Sequence, residues 1–315
     1  DILQLRLNDG DLRQSYQSNR SRELSYSFPL GKNLLSFDYS DIEFRQRVQG
    51  NIGSFVSEGE TETERYRVSR IVARNQRQRV RLAIGLELAD TENFFEGEPV
   101  DVSSYKTSKL QLELQHDWYQ PWGQLGAVYT YHRGLDSFAA RDDDYYERDD
   151  GGGSEARLQF EKITIDGRLL VFLGAAETYL DLNLFLQHSD DLLFDSDKLN
   201  LGSPYTMRGY ASALSGGNAW YLHSDLTWQL RSSHDPSAAG SLEKTVALSL
   251  GLDYGEVKCE ADNADTCGEI YAAGLGFVVR DRNFSARLSW GFPLKEIADD
   301  VGDEALYLVD LRWAI

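Results

Sequence analysis

The sequence has little positive charge, little sulfur, few prolines and no long apolar run. Its 315 residues carry 32 Lys+Arg against 51 Asp+Glu, a formal net charge of -19. Nucleic-acid binders need a basic footprint to neutralise phosphates, so that class is excluded. No stretch approaches about 18 consecutive apolar residues, which excludes membrane-spanning helices. No glycine-rich turn leads from a strand into a helix, so a nucleotide phosphate has no visible cradle. The five histidines show no metal-ligand spacing, and neither a metal nor a cofactor is expected. No signal peptide is present and the first residue is Asp1, so the chain reads as processed or excised. Internal repeats with a period of about 20–50 residues are missing too, which argues against a propeller.

What is plentiful is aromatic: 17 Tyr, 14 Phe and 6 Trp. Apolar residues recur at every second position. One series is Val80, Leu82, Ile84, Leu86, Leu88, and others are Leu110, Leu112, Leu114 and Val246, Leu248, Leu250, Leu252, Tyr254. Phe284, Ala286, Leu288, Trp290, Phe292 and Tyr307, Val309, Leu311, Trp313, Ile315 repeat the pattern at the end of the chain. A period of two is the signature of a strand with two unlike faces, and no segment shows the 3,4 spacing of a helix. The chain is therefore expected to be all-β.

A soluble sandwich would alternate as well. Strands of about 9–13 residues match the tilted span of a bilayer, and Trp or Tyr near strand ends match an aromatic girdle. Connections alternate between short and long, with long ones at 45–61, 90–105, 134–153 and 190–218. All six prolines are expected in connections, where they remove no ladder hydrogen bond. The expectation is an antiparallel transmembrane β-barrel filling 1–315. About fourteen strands are expected, near 2–9, 22–28, 34–44, 62–74, 79–89, 106–118, 123–133, 155–170, 177–188, 219–231, 242–255, 269–279, 283–292 and 305–315. Asp166-Gly167 could instead be a turn inside the eighth. The alternation places Leu82, Leu112, Leu226, Leu250 and Leu288 toward lipid, and Arg81, Glu113, His223 and Asp253 toward the lumen.

The sharpest local signal lies in the longest connection: Thr206-Met207-Arg208-Gly209-Tyr210. A permanent fork-shaped donor stands beside a residue free to adopt positive φ. Asp253, between Gly251 and Gly255, is a candidate acceptor that faces the lumen, with room on either side for an approaching loop. A solvated loop arginine is the alternative.

The two motifs, in this order, resemble those of the TpsB transporters of two-partner secretion, in the superfamily that also holds the barrel assembly protein BamA. Thr206-Met207-Arg208-Gly209-Tyr210 is similar to that family's Val-Arg-Gly-Tyr/Phe signature in the sixth extracellular loop, here residues 189–218. Gly251, Asp253 and Gly255 resemble its Asp-x-Gly motif on the barrel wall. Gln187, Ser189, Asp191 and Leu193 resemble the segment entering the loop, and Leu214-Ser215-Gly216-Gly217 with Asp225-Leu226 the segment leaving it. Phe28-Pro29-Leu30-Gly31 resembles a periplasmic turn. Departures are Gly202-Ser203 for Gly-Gly, Met207 for valine, and an Arg312-Trp313-Ala314-Ile315 terminus in place of an aromatic assembly signal. The resemblance implies a sixteen-strand barrel with a plug helix and two POTRA domains; neither the helix nor those domains is found in this chain, which reads as the barrel portion. It also implies an outer-membrane pore exporting a secreted TpsA-type exoprotein (adhesin, haemolysin or contact-dependent toxin). That protein and outer-membrane lipids would be the partners of a monomer that binds no nucleic acid. A BamA-like insertase and a passive porin are the alternatives.

No enzyme is expected. His223-Ser224-Asp225 holds the residues of a hydrolase triad, but neighbouring strand side chains point to opposite faces. The acidic run at 142–147 lacks the glycine and the spaced ligands of a calcium loop, so a solvated loop is the simpler reading. Arg74, Arg77, Arg79 and Arg81 read as a solvated turn or a partner-binding rim. Cys259 and Cys267 lie in a loop placed outside the cell, where exposed cysteines usually pair, and a disulfide is expected.

Overall fold

Alternating side chains turn one face of a strand apolar and the other polar, and such strands find stability only beside one another. The computed structural model of the chain describes residues 1–12, 17–49, 54–143, 156–174, 177–211, 214–233, 244–259, 266–281, 284–295 and 306–313. In chain order the strands are β1 (Ile2–Leu12), β2 (Gln17–Leu30), β3 (Asn33–Gln49), β4 (Ser54–Arg74), β5 (Gln78–Phe95) and β6 (Glu98–Pro99). Next come β7 (Tyr105–Gln120), β8 (Gly123–Leu135), β9 (Glu161–Phe172), β10 (Thr178–Ser189), β11 (Leu199–Leu201) and β12 (Leu214–Gly216). The chain continues through β13 (Ala219–Ser233), β14 (Lys244–Val257), β15 (Gly268–Asp281), β16 (Phe284–Pro293) and β17 (Leu306–Trp313). One sheet runs β1-β2-β3-β4-β5-β7-β8-β9-β10-β13-β14-β15-β16-β17, with β6 beside β5 and β11-β12 as a separate hairpin. Each long strand thus pairs with its neighbours in sequence. The fold class is all-β, and no described helix is long and apolar enough to cross a membrane.

Two compact units divide the chain: residues 1–74, 80–114 and 130–162, and residues 75–79, 115–129 and 163–315. In the first, Leu82 and Leu112 are 47% and 44% exposed, whereas Glu113, one residue on, pairs with Arg67. In the second, Leu250 is 43% exposed and Asp253, on the opposite face, only 4%. A water-soluble protein would reverse this distribution.

The structure departs most from the sequence reading in four respects. The loop expected at 45–61 is largely strand, because β3 and β4 stay in register out to Gln49↔Ser54. Arg45 Nε bonds Glu58 Oε1 at 2.9 Å across that extension, so charged side chains support the ladder there. In place of a loop over 90–105, β5 runs on to Phe95 and turns back through Glu96 and Gly97, both at positive φ, into β6. The strand expected over 155–170 begins only at Glu161, and Asp166-Gly167 lies within β9 rather than in a turn. Asp143 explains the late start, since its carboxylate accepts the backbone N–H groups of Leu158 and Gln159 that a ladder would otherwise use. Finally, the prolines are not all in connections. Pro29, Pro99 and Pro293 sit at strand ends, where a missing N–H costs little, and Pro236 lies outside the described residues. Asp144–Glu147 of the acidic run, Ala314 and Ile315 are outside them as well.

Candidate functional site

Loop 189–218 folds back against the polar face of β13 to β16, within the second unit. Its tip is shaped locally. Ser203 Oγ accepts the backbone N–H of Tyr205 at 3.2 Å and of Thr206 at 3.1 Å, while Thr206 Oγ1 lies 2.9 Å from Ser203 Oγ. These side chains replace the ladder bonds a short turn lacks. Gly209 follows at φ +84°, a conformation that favours glycine.

This turn aims Arg208 at the wall. Its Nε donates to Asp253 Oδ2 at 2.8 Å, Nη2 to Asp253 Oδ1 at 2.5 Å, and its backbone N–H to Asp253 Oδ2 at 3.1 Å. The remaining arm, Nη1, reaches Asp225 Oδ1 at 2.6 Å, and Nη2 also meets the Ser224 carbonyl at 2.6 Å. A planar fork with five donors suits this set, and a single ammonium would not. The Asp253 side chain is fully shielded and that of Arg208 is 9% exposed. Burial opposes the charge on this loop guanidinium, but Asp253 and Asp225 outweigh it and push its pKa above the ordinary arginine value. His223 stands between the two carboxylates, Nδ1 3.1 Å from Asp253 Oδ1 and Nε2 3.4 Å from Asp225 Oδ2.

Apolar contacts complete the attachment. Met207 and Tyr210 are fully buried and join Leu201, Leu214, Ala219, Val257, Ile270 and Ala272 in one cluster. Each of its buried Leu, Val, Ile and Met side chains contributes roughly 1.5–3 kcal/mol. Tyr210 Oη lies 2.8 Å from the Tyr271 carbonyl and 2.7 Å from that of Lys295, and accepts the Lys295 N–H at 3.2 Å. A Cβ at Gly255 would stand 2.9 Å from Leu201 Cδ1 and 3.0 Å from Met207 Sδ, and one at Gly251 would collide with the Arg208 guanidinium. A side chain at either position would therefore force the loop's Leu201, Met207 or Arg208 to shift.

Cys259 and Cys267 are joined, with Cα atoms 4.9 Å apart. The adjoining Thr266 carbonyl accepts the Ser215 N–H at 2.9 Å, so this connection also touches the loop. Thr206, Met207, Arg208, Gly209, Tyr210, Gly251, Asp253 and Gly255 thus converge, while the cysteine pair lies beside them. Sequence reasoning placed Asp225 and His223 on the polar face without including them in the anchor. Their shared parity with Asp253, and the register His223↔Asp253 and Asp225↔Gly251, was the available signal. Ser224 is on the other face, bonded to the Leu252 carbonyl, so it forms no triad with its neighbours.

Among the described residues, oxygens of Asp41, Glu43 and Glu60 lie within 4.8 Å of one another and could hold a cation. Arg22 already bridges two of them, bonding Asp41 at 2.9 Å and Glu43 at 3.3 Å, which lessens the pull on a metal. Of the arginine group, Arg79 is paired with Asp117 at 2.8 Å rather than free in a turn.

Three comparisons place this arrangement. The chain is 26% identical to the outer membrane transporter CdiB of Dickeya dadantii over 276 residues, 87% of this chain and 47% of the relative. Its structure superposes on CdiB from Escherichia coli with a TM-score of 0.82 at 22% identity, covering 94% of this chain and 53% of the other. On BamA from Haemophilus ducreyi lacking POTRA domains 1-3 the TM-score is 0.55 at 9% identity, over 98% and 75%. The fold is thus the antiparallel β-barrel fold of these proteins. The chain spans about half the length of the CdiB relative it matches. Residues 1–279 match the family described as haemolysin secretion/activation protein ShlB/FhaC/HecB, and the chain belongs to that family, the TpsB transporters.

Proposed function

We propose that residues 1–315 are the barrel portion of an outer-membrane pore that exports a large unfolded exoprotein in two-partner secretion. Loop 189–218 is held inside the pore by Arg208. The observation that carries this reading is the five-bond seat of Arg208 on Asp253, Asp225 and the Ser224 carbonyl. A buried charge is retained only where partners compensate its desolvation, so a loop built around one is made to occupy a defined position. A passive porin needs a constriction but no such anchor. The match of residues 1–279 to the ShlB/FhaC/HecB family favours the transporter over an insertase.

Apolar side chains exposed on one strand face support contact with lipid, and the polar face supports a hydrated path. The pore acts as a monomer, without catalysis or a nucleotide; folding of the cargo outside the cell supplies the direction of transport. Export of the cognate exoprotein by cells carrying Arg208→Ala, with barrel insertion checked separately, tests the reading. Export should fall while insertion persists. Undiminished export from a normally inserted barrel would refute it.

A further inference from the structure

The register of the wall brings together glycines that are far apart in sequence. Gly251 on β14 pairs with Gly274 on β15, and Gly274 with Gly291 on β16. Asp225 on β13 extends the same row, opposite Gly251. Three adjacent strands therefore present a bare strip of backbone that begins at a carboxylate, and Arg208 lies along it. A Cβ on Gly274 would stand 2.7 Å from Arg208 Cδ and 2.7 Å from Nη1. On Gly291 it would be 2.5 Å from the Gly209 backbone nitrogen and 2.7 Å from Arg208 Cβ. Both distances are far inside the 3.5–4.0 Å of a normal carbon contact.

Glycine is a poor choice inside a strand, where it gives up side-chain packing and conformational entropy. Three in register at one depth need a reason, and the guanidinium supplies it. We propose that Gly251, Gly274 and Gly291 form a side-chain-free seat for loop 189–218, and that Gly274 and Gly291 are positioning residues for the Arg208 anchor. Neither belongs to the sequence motifs that mark the loop or β14. They act differently. A methyl group at 274 would displace the far end of Arg208, which can move only by breaking its bonds to Asp253 and Asp225. A methyl at 291 would push against the loop backbone itself, at Arg208 and Gly209.

The inference rests on the anchored-loop reading, but the position of the loop and export are separate readouts. The test uses the full chain folded in detergent, with Met207→Cys as reporter, because Met207 is fully buried when the loop is seated. A soluble maleimide should label that cysteine slowly. Gly274→Ala and Gly291→Ala should each raise the labelling rate by at least about tenfold, the response to losing one charged hydrogen bond. Gly167→Ala on β9, whose Cβ would meet only ordinary contacts at 3.8 Å, should leave it unchanged. In an Arg208→Ala background, where labelling is already fast, Gly274→Ala should add nothing.

An unchanged rate in both glycine variants would overturn the seat. So would an equal further rise from Gly274→Ala in the Arg208→Ala background, because it would mark a general defect of the strand. If Gly274→Ala fails to fold, recovery of folding on adding Arg208→Ala supports the proposal, and continued failure overturns it. A loop released by either glycine variant while export stays normal would support the seat and contradict the export reading.

Discussion

Arg208 meets Asp253 through three donors, its backbone N–H, Nε and Nη2, and the carboxylate that receives them is closed to solvent. Because one of the three is the backbone, the contact fixes the course of the loop as well as the direction of a side chain. Removing one partner strands the other charge in a poorly hydrated place, a cost of about 3–5 kcal/mol. Arg208→Lys keeps the charge but cannot serve Asp253 and Asp225 together, so it should also be impaired. Thermal unfolding of the inserted barrel checks both: Asp253→Asn and Arg208→Lys should each lower the midpoint, the first further.

Tyr210 supplies a second, uncharged tie. Its hydroxyl is buried between the Tyr271 carbonyl and the backbone of Lys295. Tyr210→Phe keeps the packing and leaves the Tyr271 carbonyl its bond from the Leu294 N–H, but removes the hydroxyl that meets the Lys295 backbone, a loss of about 1–3 kcal/mol. Amide hydrogen exchange should quicken at Lys295 more than at Leu201, which the same variant leaves in its apolar cluster. Equal exchange at Lys295 in both proteins would contradict the tie.

The two faces of β14 should respond oppositely to charge. Leu250 stands on the exposed apolar face, and Ser249 lines a cavity of about 340 Å³ on the polar one. Leu250→Lys at mid-bilayer should cost about 2–4 kcal/mol, and Ser249→Lys far less. Insertion efficiency into lipid vesicles of the two variants measures the difference, and a larger defect for Ser249→Lys would reverse the assignment of the faces.

Reducing the Cys259–Cys267 bond should have a modest effect. The bond closes a loop with a sequence separation of 8, for which the chain-entropy model gives roughly 2–3 kcal/mol. Since Thr266 bonds Ser215, the local consequence should be faster exchange at the Ser215 amide, with export retained. Thiol labelling of the untreated protein should find neither cysteine free.

Strand identity was legible where a period of two survives, as at residues 80–88, 246–254 and 307–313. The outer parts of β3 and β4 were not. Their charges at Arg45 and Glu58 look like loop residues until the two strands are aligned and the opposite charges meet. The loop motif and Asp253 stood out as patterns along the chain. Asp225, His223, Gly274 and Gly291 could not, because what joins them is cross-strand register, a relationship between segments that no single segment encodes. Hydrogen bonding hid the start of β9 in the same way, since Asp143 takes the Leu158 and Gln159 amides from a distant position.

The central claim is that Arg208 and Asp253 act as one unit that holds the loop for export. Secretion of the cognate exoprotein tests it most directly, compared among Arg208→Ala, Asp253→Asn and the double variant at matched levels of inserted barrel. Two residues that work only together lose their function once. The prediction is that both single variants are strongly impaired and that the double is no worse than either. Normal secretion by both single variants, or a double variant whose defect is the sum of the two, would contradict it.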